Sequence, residues 1–334
     1  MGNSNLKNAR KAKNDEFYTQ LSTIEDEVMH YREHFKGKTV YLNCDDPRES
    51  NFFKYFSLNF ERLGLKKLIA SCYKNQDCNF SGILNSEKAM WLEYTGEKDD
   101  GRVPTVESIG VNYFKGDGDF RSEESIELLK EADIVVTNPP FSLFREYIAQ
   151  LMEYDKKFLV LGNMNAITYK EIFPYIKDNK IWAGVSFNRT VEFEVPDHYD
   201  TSKAIEKDGK KIIKVPAISW WTNLDYPSRH QDIILFREYK GDENKYPKYD
   251  NYDAINVDKV ADIPKDYEGV MGVPITFIGR WNPEQFEIVD GLHRYAILNS
   301  QNNNEEVRKK KAQMVDVGGK PKYFRVLIRN KYLN

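Results

Sequence analysis

Short, nearly continuous apolar runs alternate with amphipathic stretches over the first two thirds of the chain. Residues 39–44 (TVYLNC), 66–72 (KKLIASC), 132–138 (ADIVVTN) and 157–163 (KFLVLGN) are aliphatic and β-branched, and too short for buried helices. Each reads as a strand. Between them, 25–35 (EDEVMHYREHF, ending at Gly37), 50–63 (closed by Gly64), 122–132 (SEESIELLKEA) and 141–154 (FSLFREYIAQLMEY) carry helical spacing. Ser122 is placed as an N-cap, with acids in the turn that follows. Strands without polar alternation are covered on both faces, so the pattern predicts a doubly wound, mainly parallel α/β sheet. Residues 180–187 (KIWAGVSF) and 216–224 (PAISWWTNL) also read as strands. The polar stretch between them, with Lys207-Asp208-Gly209-Lys210, reads as a hairpin. Beyond about residue 226 periodicity fades, and Tyr, Asp, Lys and Pro dominate. A second, irregular module is expected there, with the polar run 301–311 (QNNNEEVRKKK) partly disordered.

Composition narrows the class. Of 334 residues, 40% are apolar and 30% charged, with a net charge of −3. That balance excludes collagen-like, disulfide-rich and disordered chains and suits about two domains. No apolar run approaches the roughly 18 residues of a membrane span. The start, MGNSNLKNARKAKN, lacks the apolar core of a signal peptide, and Leu6 stands where myristoylation wants Ser or Thr. Cys44, Cys72 and Cys78 form neither a disulfide framework nor a zinc-type pair. A reducing, cytoplasmic setting with no metal is expected. Charge is uneven: residues 1–13 carry +4, residues 301–334 carry +6, and the middle about −13. Such basic ends are either a nucleic-acid track or a solvated tail and terminal helix.

The chemistry concentrates at Asn138-Pro139-Pro140-Phe141, between a buried strand and a helix. Open α/β sheets bind ligands at the carboxyl ends of their strands. Two prolines remove two backbone donors. What remains is acceptors, the Asn138 side-chain oxygen and the Pro139 carbonyl, followed by an aromatic ring. An exocyclic amino group, a planar double donor beside a π-face, is the matching partner. Two hydrogen bonds would push its nitrogen toward sp³ and free the lone pair. The bland reading is a strand-to-helix turn, since Pro suits the first helical turn.

Asp-Ile-Val-Val-Thr-Asn-Pro-Pro-Phe (133–141) resembles the catalytic motif of amino-methylating, S-adenosylmethionine-dependent methyltransferases. NDEFYTQ (14–20), YREHF (31–35), VYLNCDDPRESNFFKYF (40–56), LGLKKLIASCY (63–73), GDGDFRS (116–122), YPKYDNYDAINV (246–257) and GVMGVPITF (269–277) sharpen that likeness. Together they resemble the EcoRI-type adenine-specific DNA methyltransferases over roughly 14–286, with KYFRVLIRNK (322–331) added. The segment 286–321 matches least.

The resemblance implies a class I methyltransferase fold with a Rossmann-like sheet. It also implies a domain plan: a basic arm (1–13), a catalytic domain (14–235, with 188–215 inserted) and a target-recognition region (236–334). Phe17-Tyr18-Thr19 resembles the motif that holds the methionine part of the cofactor. Asn43-Cys44-Asp45-Asp46 falls where the first strand meets the cofactor, without the usual Gly-rich turn. Its acids either hold the cofactor ammonium or cap a turn. The second strand ends Ser71-Cys72-Tyr73 instead of in a ribose-binding acid, so backbone and the Tyr73 ring would substitute. Asp119-Phe120 resembles the adenine-binding motif, or is a plain turn. Cofactor motifs precede the catalytic motif, which resembles the gamma order and places sequence readers after about residue 185. Candidates are Asn188, Arg189, Arg229, His230, Lys248, Arg280 and the Tyr-rich 246–252 segment, each otherwise a surface residue; Arg and Asn suit guanine and adenine edges. Arg10, Lys11 and Lys13, with the basic residues of 308–331, would clasp phosphates.

The expected reaction is methyl transfer to N6 of an adenine flipped from duplex DNA, with GAATTC as the first-guess site and its second adenine as target. S-adenosylhomocysteine is the other product. A role in restriction-modification and a monomer follow from the same resemblance; a cognate endonuclease would be a partner in function only. The alternatives are methylation of RNA adenine or of a protein glutamine amide, and a non-catalytic DNA-binding protein. The last rests on DGLHRYAIL (290–298), which faintly resembles a ParB-like segment and otherwise reads as a turn and helix.

Overall fold

The strand Thr39–Asn43 (β2) is buried along its whole length, as its uninterrupted apolar sequence requires. It lies in parallel register between Lys67–Cys72 (β3) and Ile134–Thr137 (β6). In this computed structural model the described residues are 18–44, 46–73, 89–195, 204–207, 209–250, 252–291 and 314–333. The expectations for Arg10, Lys11, Lys13, Phe17, Asp45, the Tyr18 side chain and the run 301–311 lie outside them.

The chain folds as two compact units, Met1–Asn163 with Arg189–Leu224, and Met164–Asn188 with Asp225–Asn334. The division at Leu224/Asp225 precedes the expected 235/236 boundary, and residues 164–188 group with the second unit.

In the first unit the main sheet runs β5-β4-β3-β2-β6-β7-β12, with β4 Met90–Tyr94, β5 Asn112–Tyr113, β7 Lys157–Asn163 and β12 Ile218–Thr222. The four central strands are parallel; β4, β5 and β12 join antiparallel. This is the mainly parallel α/β sheet that the apolar runs predict. Helices form where capping and periodicity agree. Ser50 accepts from the Phe53 N–H and opens α2 (Asn51–Leu58). Ser122 accepts from the Ser125 N–H and opens α3 (Glu123–Glu131), with Glu123 and Glu124 in its positive first turn. Gly64, at φ +63°, takes the left-handed cap that ends Phe60–Leu63. β6 is followed by α4 (Phe144–Glu153), which buries Phe144, Tyr147, Ile148 and Leu151 at helical spacing. Residues 25–35 divide into Leu21–Val28 (α1), a 3-10 turn and Arg32–Phe35.

A second, four-stranded sheet orders β1 (Tyr18–Thr19), β9 (Val191–Glu194), β11 (Lys210–Val215) and β10 (Ile205–Lys207), all antiparallel. β10 and β11 form a hairpin at the expected polar stretch, turning at Gly209 with φ +72°.

The second unit is more regular than its sequence suggests. A five-stranded sheet runs β13-β14-β15-β19-β16, formed by Lys248–Tyr249, Tyr252–Asn256, Met271–Pro274, Arg325–Asn330 and Phe286–Gly291 respectively. A two-stranded ribbon pairs β17 (Met314–Val317) with β18 (Lys320–Tyr323). These strands are short and one carries a bulge at Ile288/Asp290, which breaks the period-two pattern that would reveal them. Two expectations are corrected here. The run 180–187 forms only the two-residue strand β8 (Trp182–Ala183) before turning. Asp290-Gly291 end a strand instead of making a turn.

Candidate functional site

The chain leaves β2 for β3 on one side and returns to β6 on the other, so the strand order reverses between β2 and β6. In such sheets a crevice opens at that point, outside the carboxyl ends. Asn43 ends β2 there, with Cys44 next, and Asn138-Pro139-Pro140-Phe141 follows β6. The two are tied together. The buried Thr137 hydroxyl donates to the Asn43 carbonyl, and the Tyr147 hydroxyl on α4 donates to the Asn43 side-chain oxygen. Burial drives the Tyr147 phenol well above its ordinary pKa, so it remains a donor. Asn138 and Phe141 are each 8% exposed. The Pro140 carbonyl accepts from the Leu143 N–H at 2.9 Å and starts the turn into α4.

Cys44 adopts φ +92°. The backbone thus makes the left-handed bend where glycine is usual, at the cost of strain on a side-chain-bearing residue. Asp46 caps a turn: its carboxylate accepts the Arg48 N–H at 2.9 Å, its carbonyl accepts the Glu49 and Ser50 N–H groups, and the Arg48 guanidinium lies 3.5 Å from the carboxylate. Ser71 is buried and shares a 2.7 Å hydrogen bond with Tyr41. Cys72 is buried, while Tyr73 is 44% exposed beyond the strand end. The Asp119 carboxylate forks onto Arg121 at 2.7 and 2.8 Å, and that hydrogen bond above all holds it below its ordinary pKa. Phe120 packs edge-on against Tyr147 with centroids 5.1 Å apart, and its carbonyl accepts from Gln150 at 3.0 Å. Thr19 is buried; its carbonyl accepts from Asn51 of α2 at 2.8 Å.

Two features leave room for a bound group, one beside α2 and one at the end of β3. The Thr19 hydroxyl is buried with no hydrogen-bond partner among the described residues. Gly118, at φ +75°, has no room for a side chain: a Cβ there would lie 2.7 Å from Ala89 Cβ and 2.9 Å from the Cys72 carbonyl. The loop before Asp119 is therefore pressed onto the end of β3, bringing the second-strand and Asp119-Phe120 motifs together. Four further contributors were not singled out in the sequence: Thr137, Asn51 and Gly118 lie inside the family-like segments 133–141, 40–56 and 116–122, and Tyr147 lies outside them all.

The expected sequence readers separate into two groups. Asn188, Arg189, Lys248 and Arg280 are exposed. Asn188 sits at φ +72° and donates to the Thr276 carbonyl at 3.2 Å; Lys248 pairs with Asp253 at 3.0 Å. Arg229 is instead a buried packing residue, 6% exposed. Its guanidinium stacks 4.0 Å from the Trp182 ring and 5.5 Å from Trp281, pairs with Asp225 and bonds Asn179. It is therefore unavailable to a base edge. His230 bridges Asp225 at 2.8 Å and Glu284 at 3.1 Å; chiefly the Asp225 contact raises its pKa. Of the Tyr-rich segment, Tyr246 and Tyr249 point inward, donating to the Asp262 carbonyl and the Asn256 side chain.

Among the described residues, no His, Cys, Asp or Glu side chains gather as a metal site, and no helix is long and apolar enough to cross a membrane. A family model described as adenine-specific methyltransferase EcoRI matches residues 5–331. The chain is 53% identical to the type II methyltransferase M.EcoRI of Escherichia coli, over 99% of this chain and 98% of that one. It is 42% identical to the type II methyltransferase M.MpnI of Mycoplasma pneumoniae, over 97% of each chain. No solved structure matches.

Proposed function

Because the chain belongs to the EcoRI family of adenine-specific methyltransferases, we propose that it methylates N6 of an adenine extruded from duplex DNA at a GAATTC-like site, using S-adenosylmethionine. The observation that carries this reading is the placement of Asn138-Pro139 beside Asn43 at the point where strand order reverses. Both ends of the reaction, amino acceptors and cofactor strand, then share one crevice.

The residues proposed to hold the cofactor are Thr19, Asn43, Cys44, Ser71, Cys72, Tyr73, Asp119 and Phe120, with Phe17, Tyr18, Asp45 and Asp46 as the remaining motif positions. When bound, S-adenosylmethionine supplies a methyl group already activated by its sulfonium. The chain's own work is positioning. The Asn138 side-chain oxygen and the Pro139 carbonyl accept the two amino hydrogens of adenine. Their pull gives the nitrogen sp³ character and aims its lone pair at the methyl carbon. As the N–C bond forms, the S–C bond breaks, and one amino proton leaves to solvent. Aligned reactants and excluded water supply most of the rate. Phe141, packed at 8% exposure, turns its face to the extruded base. Extrusion costs a few kcal/mol, which contacts to the duplex must offset. Basic residues at both ends, including Arg10, Lys11 and Lys13, contact phosphates, so affinity falls steeply with salt. Asn188, Arg189, Lys248 and Arg280 are the proposed contacts of the target-recognition region. The protein acts as a monomer, in restriction-modification beside a cognate endonuclease.

The test offers labelled S-adenosylmethionine with unmethylated duplex DNA, single-stranded DNA, RNA and denatured protein in parallel. The expected result is label on duplex DNA alone, recovered as N6-methyladenine and lost when the GAATTC site is altered. Label on RNA or protein overturns the substrate.

A further inference from the structure

We propose that Ile234 and Phe236 form an apolar wedge that inserts into the base stack of bound duplex DNA; this rests on the reading of the chain as a base-extruding DNA methyltransferase.

Both side chains stand in solvent, Ile234 at 74% and Phe236 at 79% exposure. Large apolar groups this exposed lie together on a surface chiefly when something covers them. The backbone beneath them is fixed. On one side, the amide of buried Gln285 accepts the Ile233 N–H at 2.7 Å and donates to the Ile233 carbonyl at 2.9 Å. On the other, the Arg237 carbonyl accepts the Lys265 N–H at 2.9 Å. Between the anchors the chain forms neither helix nor turn, and exposure alternates: Ile233 and Leu235 are half-buried, Ile234 and Phe236 exposed. That is the alternation of extended chain, which sets residues i and i+2 on one side about 6–7 Å apart. Two base steps of about 3.4 Å span the same distance. The ridge is thus held up before binding, and ordering costs little at the moment of contact.

One exposed cation stands beside the ridge. A cavity of about 390 Å³ is lined by Ile234 and Phe236 together with Arg280 and Gln231. Arg280 is exposed and makes no ion pair among the described residues. The cavity also holds Asp232, which keeps its charge while accepting from Asn282 at 2.8 Å and Tyr332 at 3.0 Å, so the phosphate contact falls to Arg280. A cation next to an apolar wedge is the pairing by which proteins unstack a base step while holding the adjacent phosphate.

The experiment compares wild type with the double variant Ile234→Ser/Phe236→Ser and with Phe236→Trp. Duplexes carry 2-aminopurine at successive positions of the site, because unstacking raises its fluorescence. Methyl transfer and cofactor affinity are measured alongside. Wild type should raise fluorescence at a defined step. The double variant should lose that signal and about tenfold or more in kcat/KM on paired duplex, as the loss of a few kcal/mol at one step implies. Cofactor affinity and thermal stability should be unchanged, and Phe236→Trp, which keeps a large apolar ring, should retain both signal and rate. Wild-type unstacking and methylation by the double variant overturns the wedge, while the methyltransferase reading stands. A double variant that unstacks normally but sediments as a smaller species than wild type also overturns it, and assigns the ridge to a contact between copies. If wild type itself leaves duplex DNA unmethylated, both readings fall.

Discussion

Removing one hydroxyl at Tyr147 isolates the bond that holds the cofactor strand. Tyr147 is fully buried and Asn43 only 6% exposed, so water cannot replace the donor. Tyr147→Phe keeps the ring, and with it the edge-on contact to Phe120 at 5.1 Å. It leaves the Asn43 side-chain oxygen with only the weak Cys44 thiol contact at 3.7 Å. An unsatisfied buried acceptor costs about 1–3 kcal/mol. If Asn43 must stay in place for S-adenosylmethionine to bind, that cost becomes a roughly 5- to 150-fold loss of cofactor affinity. Turnover at saturating cofactor should be largely retained, because the acceptors at Asn138-Pro139 are untouched. Equilibrium titration of the cofactor reads the first quantity and methyl transfer to duplex the second. The unliganded variant should also melt lower, by about 2–4 °C for each kcal/mol in a unit of this size. Wild-type cofactor affinity in a variant that melts lower would refute the link between this bond and the cofactor, leaving a purely structural bond. Wild-type values for both would refute the bond's importance altogether.

Three further outcomes follow from the geometry. Cys44→Gly should stabilise the protein by about 1 kcal/mol, because φ +92° suits glycine and strains any other residue; Cys44→Val should do the reverse, and thermal melts of the pair check the sign. Gly118→Ala should weaken cofactor binding at least as much as it lowers the melting temperature, since its Cβ would collide with the end of β3; DNA affinity without cofactor should be unchanged. The raised pKa of His230 means that its bonds to Asp225 and Glu284 stabilise the fold fully below about pH 6.5, and that this contribution is lost as pH rises through the higher folded value. His230→Gln should therefore flatten the pH dependence of the melting temperature above about pH 6.5, and high salt should shrink the effect, the ring being 38% exposed.

Much of the first unit was legible because its signals are local. Buried strands such as 157–163 are bounded by charged or turn residues, and Ser122 and Gly64 mark helix ends through their own backbone chemistry. The tetrapeptide Asn138-Pro139-Pro140-Phe141 combines a strand end, two missing donors and an aromatic ring, so its position could be inferred before any coordinate. What escaped depends on contacts distant in sequence. Tyr147 looks like any core residue of an amphipathic helix until its hydroxyl meets Asn43, 104 residues away. Arg229 looks like a base reader until Trp182 and Trp281 close over it. The run 180–187 has strand composition, but only Trp182–Ala183 pair, and the chain turns before Asn188 at φ +72°. The five-stranded sheet of the second unit was hidden by strand length: two- to six-residue pieces are too short to show a period.

In the proposed mechanism Asn138 accepts the reacting amino group and does not hold the cofactor. The most direct test is Asn138→Ala, assayed for methyl transfer to duplex DNA and for S-adenosylmethionine affinity in the same preparation. The predicted result is turnover lost with cofactor affinity largely retained. Turnover near wild type would contradict the assignment of the acceptor. Loss of both together would place Asn138 in the cofactor's site instead.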